Sequence, residues 1–374
     1  LLALKAIKTL VASSSRNRTN QLIKQYEPFK LDKSKENAPV VFEISFFLKK
    51  VLFEFAFSFN RYSILSEELH FYPKGVRSLL YQRKRGREIK YGEYFKGGKK
   101  IVEELLQDNQ LFISKAGENN PVSLKDPYLF FIEQLEVFPF IDTYEESNLN
   151  RLFVKRLAED GNSRFSRLFN RLICALDTGI KSISAIELDW KKFRLDPKLP
   201  DEVKEKLLED FKYDIKTVHP VFKDQQPDGE VSFRLREESK GTQSLFVVAG
   251  IILDTLLKGN VLVIDEFESN LHPEITRYLI RLFHNPATNP YNAQLIFATH
   301  DVSQLSGDTF RRDQIWFTEK NEYGVTQLYN CADIRGIRLQ TPLDKWYSAG
   351  KFGATPLIND TDFLIEMQQN EPAV

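Results

Sequence analysis

The run Val261-Leu262-Val263-Ile264-Asp265-Glu266 limits the fold more than any other part of the chain. Four consecutive apolar residues have no polar face. That suits a strand buried on both sides in a parallel sheet, not one with a wet face. Such a strand needs helices above and below it. The two carboxylates that follow place Asp265 and Glu266 at the carboxyl edge of the strand, where α/β sheets bind ligands. An Asp there can hold Mg2+, often through water, and the adjacent Glu can orient or deprotonate an attacking water. The bland alternative is a core strand with a solvated polar end.

The flanking pattern repeats the same rhythm. Residues 231–235 predict a strand, 241–257 a helix, 261–264 the buried strand, 273–283 a helix and 294–298 a second buried strand. Residues 314–318 and 325–329 predict a hairpin around Asn321 and Gly324. Strand and helix in alternation give a parallel sheet covered by helices.

Two further segments carry polar residues at informative places. In Ile296-Phe297-Ala298-Thr299-His300-Asp301, His300 follows an apolar strand and lies about 34 residues after Glu266, room for one helix and a return strand. A His there can donate to a γ-phosphate. Glu238-Ser239-Lys240-Gly241-Thr242-Gln243 stands directly before the long apolar helix. Ser239, Gly241 and the first free N–H groups of that helix make an anion-binding terminus. Taken alone, this segment is an ordinary Ser cap beside a Gly.

The rest of the chain divides by period. Leu1, Leu4, Ile7, Lys8 and Val11 predict a helix over 1–12 with no capping residue before it. Short aromatic and β-branched runs between charged turns predict an antiparallel meander over 40–94. Helical periods follow at 101–107, 129–137, 152–158, 165–176 and 201–211, with a strand at 183–188 and a polar turn at 223–230. The aromatic stripe of Phe46, Phe47, Phe53, Phe55, Phe57 and Phe59 reads as core. The run Arg83-Lys84-Arg85-Gly86-Arg87 reads as a solvated hairpin tip, with nucleic-acid contact as the alternative.

Composition narrows the function. Lys+Arg and Asp+Glu are both 52, and a net charge of zero argues against a general nucleic-acid coat. Cys174 and Cys331 form neither a disulfide framework nor a metal spacing, so a reducing, cytoplasmic compartment is expected. His70, His219 and His284 have no ligand-spaced partners. The apolar run 245–253 is about half of what a bilayer needs, so no membrane role is expected. The chain begins at Leu1 and its single Met is Met367, which predicts that its beginning is missing or processed. No G-x-x-x-x-G-K-[ST] phosphate loop is present, and Gly97-Gly98-Lys99-Lys100 has the wrong spacing.

Ser239–Gln243, Asp265-Glu266 and Thr299-His300 resemble the signature, Walker B and switch-histidine motifs of ABC-type ATPases, above all the SMC-like and RecF-like branch. Glu268-Ser269-Asn270-Leu271-His272-Pro273 resembles the D-loop of that branch. Pro28-Phe29-Lys30-Leu31-Asp32, Phe71-Tyr72-Pro73-Lys74-Gly75, Asn109-Gln110-Leu111-Phe112-Ile113-Ser114-Lys115, Asp344-Lys345-Trp346-Tyr347 and Gly350-Lys351-Phe352-Gly353-Ala354 narrow the likeness. Together they look like the bacterial abortive-infection and RloA-type AAA-family ATPases, relatives of the ATPase subunit of PARIS phage defence.

The resemblance implies an α/β P-loop NTPase fold of the ABC head type, with an antiparallel β arm and a helical insertion. It divides the chain into a lobe I remnant at 1–37, the arm at 38–95, the insertion at 96–230 and lobe II at 231–374. It implies ATP and Mg2+ as cofactors. Asp265 would bind the metal's water shell, Glu266 would polarise the attacking water, and His300 would contact the γ-phosphate. Ser239, Gly241 and Gln243 would bind a nucleotide held by a second subunit, with Asn270 and His272 at the same interface. Lys240 stands where many relatives have Gly, and Gln110 or 117–119 would supply the glutamine that links metal and lobe.

The phosphate loop would lie upstream of Leu1. The implied partners are a second copy, or a higher homo-oligomer, and a nuclease-like effector encoded nearby; DNA remains open. Two rivals stand beside this reading: a RecF-like or SMC-like DNA-repair ATPase, and a non-catalytic nucleotide-dependent scaffold.

Overall fold

A computed structural model describes residues 1–119, 122–141, 143–176, 178–189, 196, 198–338, 340–356 and 359–369. Two compact units divide the chain, Leu1–Thr299 and His300–Val374.

The first unit is built on a three-stranded parallel sheet in the order β11-β10-β6. β10 (Val261–Asp265) is its middle strand, with Leu262, Val263 and Ile264 buried, as its pure apolar run requires. β6 (Leu135–Phe138) pairs with it on one side and β11 (Gln294–Ala298) on the other, both parallel. All three strands therefore end at the same edge.

β6 corrects the helix expected over 129–137. The helix α4 (Lys125–Leu129) passes into one wide π-type turn over Phe130–Gln134, and the chain then extends. Leu135 and Val137 are buried while Glu136 and Phe138 are not, a period of two in a segment too short to tell strand from helix by pattern alone. The Asn260 amide ties this corner together, donating to the Glu133 carbonyl and to Glu136.

β11 corrects a second expectation. It pairs only with β10 among the described residues, so it is an edge strand, with Gln294, Ile296 and Ala298 exposed. Composition marked it as buried; its position in the sheet decides otherwise.

The helix α8 (Lys240–Lys258) lies under the sheet, with twelve consecutive buried residues from Leu245 to Leu256. It ends at Gly259 in the left-handed conformation (φ +71), whose N–H closes onto the Thr255 carbonyl. It is the one helix among the described residues long and apolar enough to cross a membrane, and 67% of that window is buried in the protein. Its partners are α5 (Thr143–Glu159) and α6 (Arg164–Ala175). At Gly250 an added Cβ would stand 2.6 Å from the Phe153 ring, and Phe246 meets Phe169 edge-on at 4.9 Å. α9 (Pro273–His284) begins with Pro and buries Thr276, Leu279 and Ile280.

The meander is a five-stranded antiparallel sheet: β1 (Val40–Leu48), β2 (Val51–Phe59), β3 (Ile64–Phe71), β4 (Ser78–Lys84) and β5 (Lys90–Tyr91). Lys49 and Lys50 both take positive φ, the geometry of a two-residue hairpin. Phe53, Phe55, Phe57 and Phe59 face one way and are buried, as period two dictates; Phe47 falls on the opposite face of β1 and is exposed. This core is continuous with α1 (Leu2–Ser13), α3 (Phe112–Glu118) and β6, and Phe46 stacks on Phe130 at 4.2 Å. α2 (Lys100–Leu105) follows β5.

Residues 96–230 carry strands as well as helices. β7 (Ser182–Glu187), β8 (Tyr213–Lys223) and β9 (Gln226–Arg234) form an antiparallel sheet, with α7 (Asp201–Asp210) before β8. The polar stretch expected as a turn at 223–230 is mostly strand. Only Asp224 and Gln225 turn, both at positive φ, and the stretch is polar because β9 is exposed almost throughout.

The second unit holds the expected hairpin, β12 (Trp316–Lys320) with β13 (Thr326–Asn330), and the helices α10 (Leu343–Ser348) and α11 (Thr361–Gln369). Its core gathers Ile315, Phe317, Cys331, Ile337, Leu343 and Phe352. Phe352 is placed there by a tight Gly350–Ala354 turn, and its carbonyl accepts from the Tyr329 hydroxyl at 2.6 Å.

Candidate functional site

Asp265 is the last residue of β10 and lies opposite Ala298 of β11. The ladder runs one bond further, as the Glu266 N–H donates to the Ala298 carbonyl at 3.0 Å. The chain then turns sharply: Glu266 has φ +44 and Asn270 φ +67. Asn adopts that left-handed region with little cost, whereas Glu there is strained. Phe267 anchors the turn, buried with its ring perpendicular to Phe297 at 5.3 Å. Bonds from Ser269 N–H to the Glu266 carbonyl and from Leu271 N–H to the Glu268 carbonyl close the loop. Asp265 is half-buried and Glu266 exposed.

Thr299, just past β11, donates its hydroxyl to the Glu268 carboxylate. The Thr299 hydroxyl beyond β11 is thus paired with the loop that follows Asp265 of β10. Sequence reading named Glu268 and Thr299 only as parts of motifs; their pairing needs the strand register.

The start of α8 meets the same loop. Ser239 caps the helix by accepting from the Thr242 N–H at 3.1 Å, and its hydroxyl lies 2.9 Å from that of Thr242. A Cβ on Gly241 would stand 2.9 Å from the Asn270 carbonyl, so only Gly allows helix and loop to approach this closely. The Gln243 amide donates to the Glu238 carbonyl at 2.8 Å. His272 caps α9, its Nδ1 accepting from the Glu274 N–H at 3.2 Å, which leaves the proton of the neutral ring on Nε2. Ser239, Asn270 and His272 are all exposed.

His300 is exposed and opens the second unit. Gln110 is buried, with its amide nitrogen donating to the Ser15 and Asn17 carbonyls and its oxygen accepting from the Gln107 N–H. Its polar atoms are committed to backbone. Gly117 packs against the Tyr128 ring, with room for no side chain. Lys99, next to the glycine pair at 97–98, lies over the Tyr91 ring at 4.4 Å and precedes a helix of six residues; this is no phosphate cradle. Arg83 is not part of a solvated tip. It is buried, 3.8 Å from Glu67, and donates to the Gln110 carbonyl.

The oxygen donors at the strand edge suit Mg2+, which takes one or two carboxylates and completes its shell with water and phosphate oxygens. Among the described residues no three His, Cys, Asp or Glu side chains form a self-contained metal cage. Asp265 could hold such an ion together with water and phosphate ligands.

No curated protein matches the chain. A family profile described as "AAA domain, putative AbiEii toxin, Type IV TA system" matches residues 24–306. That span runs from the meander through the central sheet and past His300, and covers more than half of the sequence. The chain belongs to this family of AAA domains.

Proposed function

We propose that the protein is an ATPase of the ABC head type that binds ATP with Mg2+ and acts in abortive infection. The family supports nucleotide use and the abortive-infection setting. The observation that carries the catalytic reading is Asp265 and Glu266 at the common edge of β10 and β11, beside a helix start held against the same loop. In this reading Asp265 holds the water shell of the ion. Glu266, on a strained backbone, orients the attacking water. His300 contacts the γ-phosphate and registers its loss.

Ser239 at the start of α8 and Asn270 and His272 beyond β10 are exposed and polar, and in this reading they meet a nucleotide held by a second copy. ATP then joins two heads and hydrolysis releases them, which makes nucleotide state a switch. A nuclease-like effector encoded nearby is the proposed recipient of that switch. The reading assigns 231–374 to lobe II and requires a phosphate-binding loop that the 374 residues do not contain.

The test is Glu266→Gln in the protein as the cell makes it. An amide cannot accept the water's proton, so ATP should accumulate on a dimer measurable by light scattering while turnover falls about 100-fold or more. Turnover like the wild type would remove Glu266 from its assigned role. Turnover stimulated by DNA without any protein partner would favour the repair-type reading.

A further inference from the structure

Glu238 lies immediately before Ser239, and its carboxylate belongs to no role assigned above. Its Oε1 accepts from the Thr217 hydroxyl at 2.5 Å and from His219 Nε2 at 2.8 Å. A carboxylate can only accept, so Nε2 carries the proton of this bond. Thr217 is fully buried, and the side chains of His219 and Glu238 are 19% and 10% exposed. Phe233, across the strand pair, meets the His219 ring edge-on at 5.4 Å.

The other end of Glu238 is equally engaged. Its carbonyl accepts from the Gln243 amide in the first turn of α8, and its N–H donates to the Leu235 carbonyl. Thr217 and His219 both belong to β8, and alternate residues of a strand share a face. One face of β8 thus grips the residue that sets the entry to α8, where Ser239 and Gly241 stand.

We infer that Thr217 and His219 are positioning residues: by holding Glu238 they fix the first turn of α8 against the β7–β9 sheet, and a shift of that sheet is delivered to Ser239 and Gly241. The link to ATP rests on the nucleotide reading of Ser239 and Gly241; the grip itself does not.

The test uses Thr217→Val, which keeps the shape and removes the donor, His219→Ala, and His219→Gln, which retains an N–H. Hydrogen exchange is followed in nucleotide-free protein. Exchange over 239–243 should quicken about tenfold in the first two variants, the scale of one lost charge-assisted bond, and recover in His219→Gln. Exchange in β1–β4 should not change. In the ATPase assay the ATP concentration for half-maximal turnover should rise by a similar factor, with kcat within about twofold, because a binding contact is loosened and the base is untouched. Unchanged exchange over 239–243 in both donor-deleting variants overturns the inference. So does faster exchange with unaltered ATP dependence in a protein that turns ATP over. If the wild type neither binds nor hydrolyses ATP, the nucleotide reading fails, and the exchange measurement still decides the grip.

Discussion

At the scale of single residues, two carboxylates show how environment separates structural from chemical roles. Glu67 is fully buried and accepts from the Phe112 and Ile113 N–H groups and the Tyr81 hydroxyl, with Arg83 3.8 Å away. Burial pushes its carboxyl up, against the pull of Arg83 and the N–H donors. Removing it would orphan two N–H groups and leave a buried guanidinium, so Glu67→Ala should cost roughly 3–5 kcal/mol in chemical denaturation. Glu266 is the opposite case, exposed and held at φ +44. Glycine takes that conformation without strain, so Glu266→Gly should raise stability by up to about 1 kcal/mol while turnover collapses. Opposite signs in the melt and in the assay would mark strain kept for function; loss in both would mark an ordinary loop residue.

At the scale of elements, the sequence was legible wherever one segment alone decides its environment. Four apolar residues in a row foretold the burial of β10, and period two foretold the face of β2. β11 shows the limit, since whether a strand is central or at an edge depends on its neighbours. The site divides in the same way. Asp265 and Glu266 were visible from the run before them, whereas the grip on Glu238 joins residues about 20 apart across a hairpin and follows no local pattern. Among the strands of the meander, cross-strand chemistry also sets a pH response. Arg77 and Tyr72 donate to Glu54 and hold its carboxyl below its ordinary 4.5. Burial and then the Arg77 charge hold His70 below its ordinary 6.5. Both shifts are depressions, so both groups favour the fold above their ordinary values and lose that contribution as pH falls through the folded ones. Denaturation midpoints should drop in acid, first below about pH 6.5 and again below about pH 4.5. His70→Asn should flatten the first drop and leave the second. An unchanged first drop would assign it to another group.

At the scale of the whole molecule, the question is whether each site is completed by one chain or two. A net charge of zero suits heads that meet one another, since no large like-charge repulsion opposes their approach. In the proposed dimer each nucleotide lies between Glu266 of one copy and Ser239 of the other. A two-fold interface presents the same patch twice, so two such sites form. Ser239→Arg and Glu266→Gln should each abolish turnover alone, because every site in either homodimer lacks one group. In a mixed dimer the two lesions fall in the same site. The other site then combines an intact Glu266 from the Ser239→Arg copy with an intact Ser239 from the Glu266→Gln copy. Random pairing of equal amounts makes about half the dimers mixed, each with one working site, so mixing two dead variants should restore about a quarter of wild-type turnover if the sites act independently. A site completed within one chain predicts no recovery at any ratio, and that result would overturn the shared site by placing Ser239 and Glu266 of one copy in the same site.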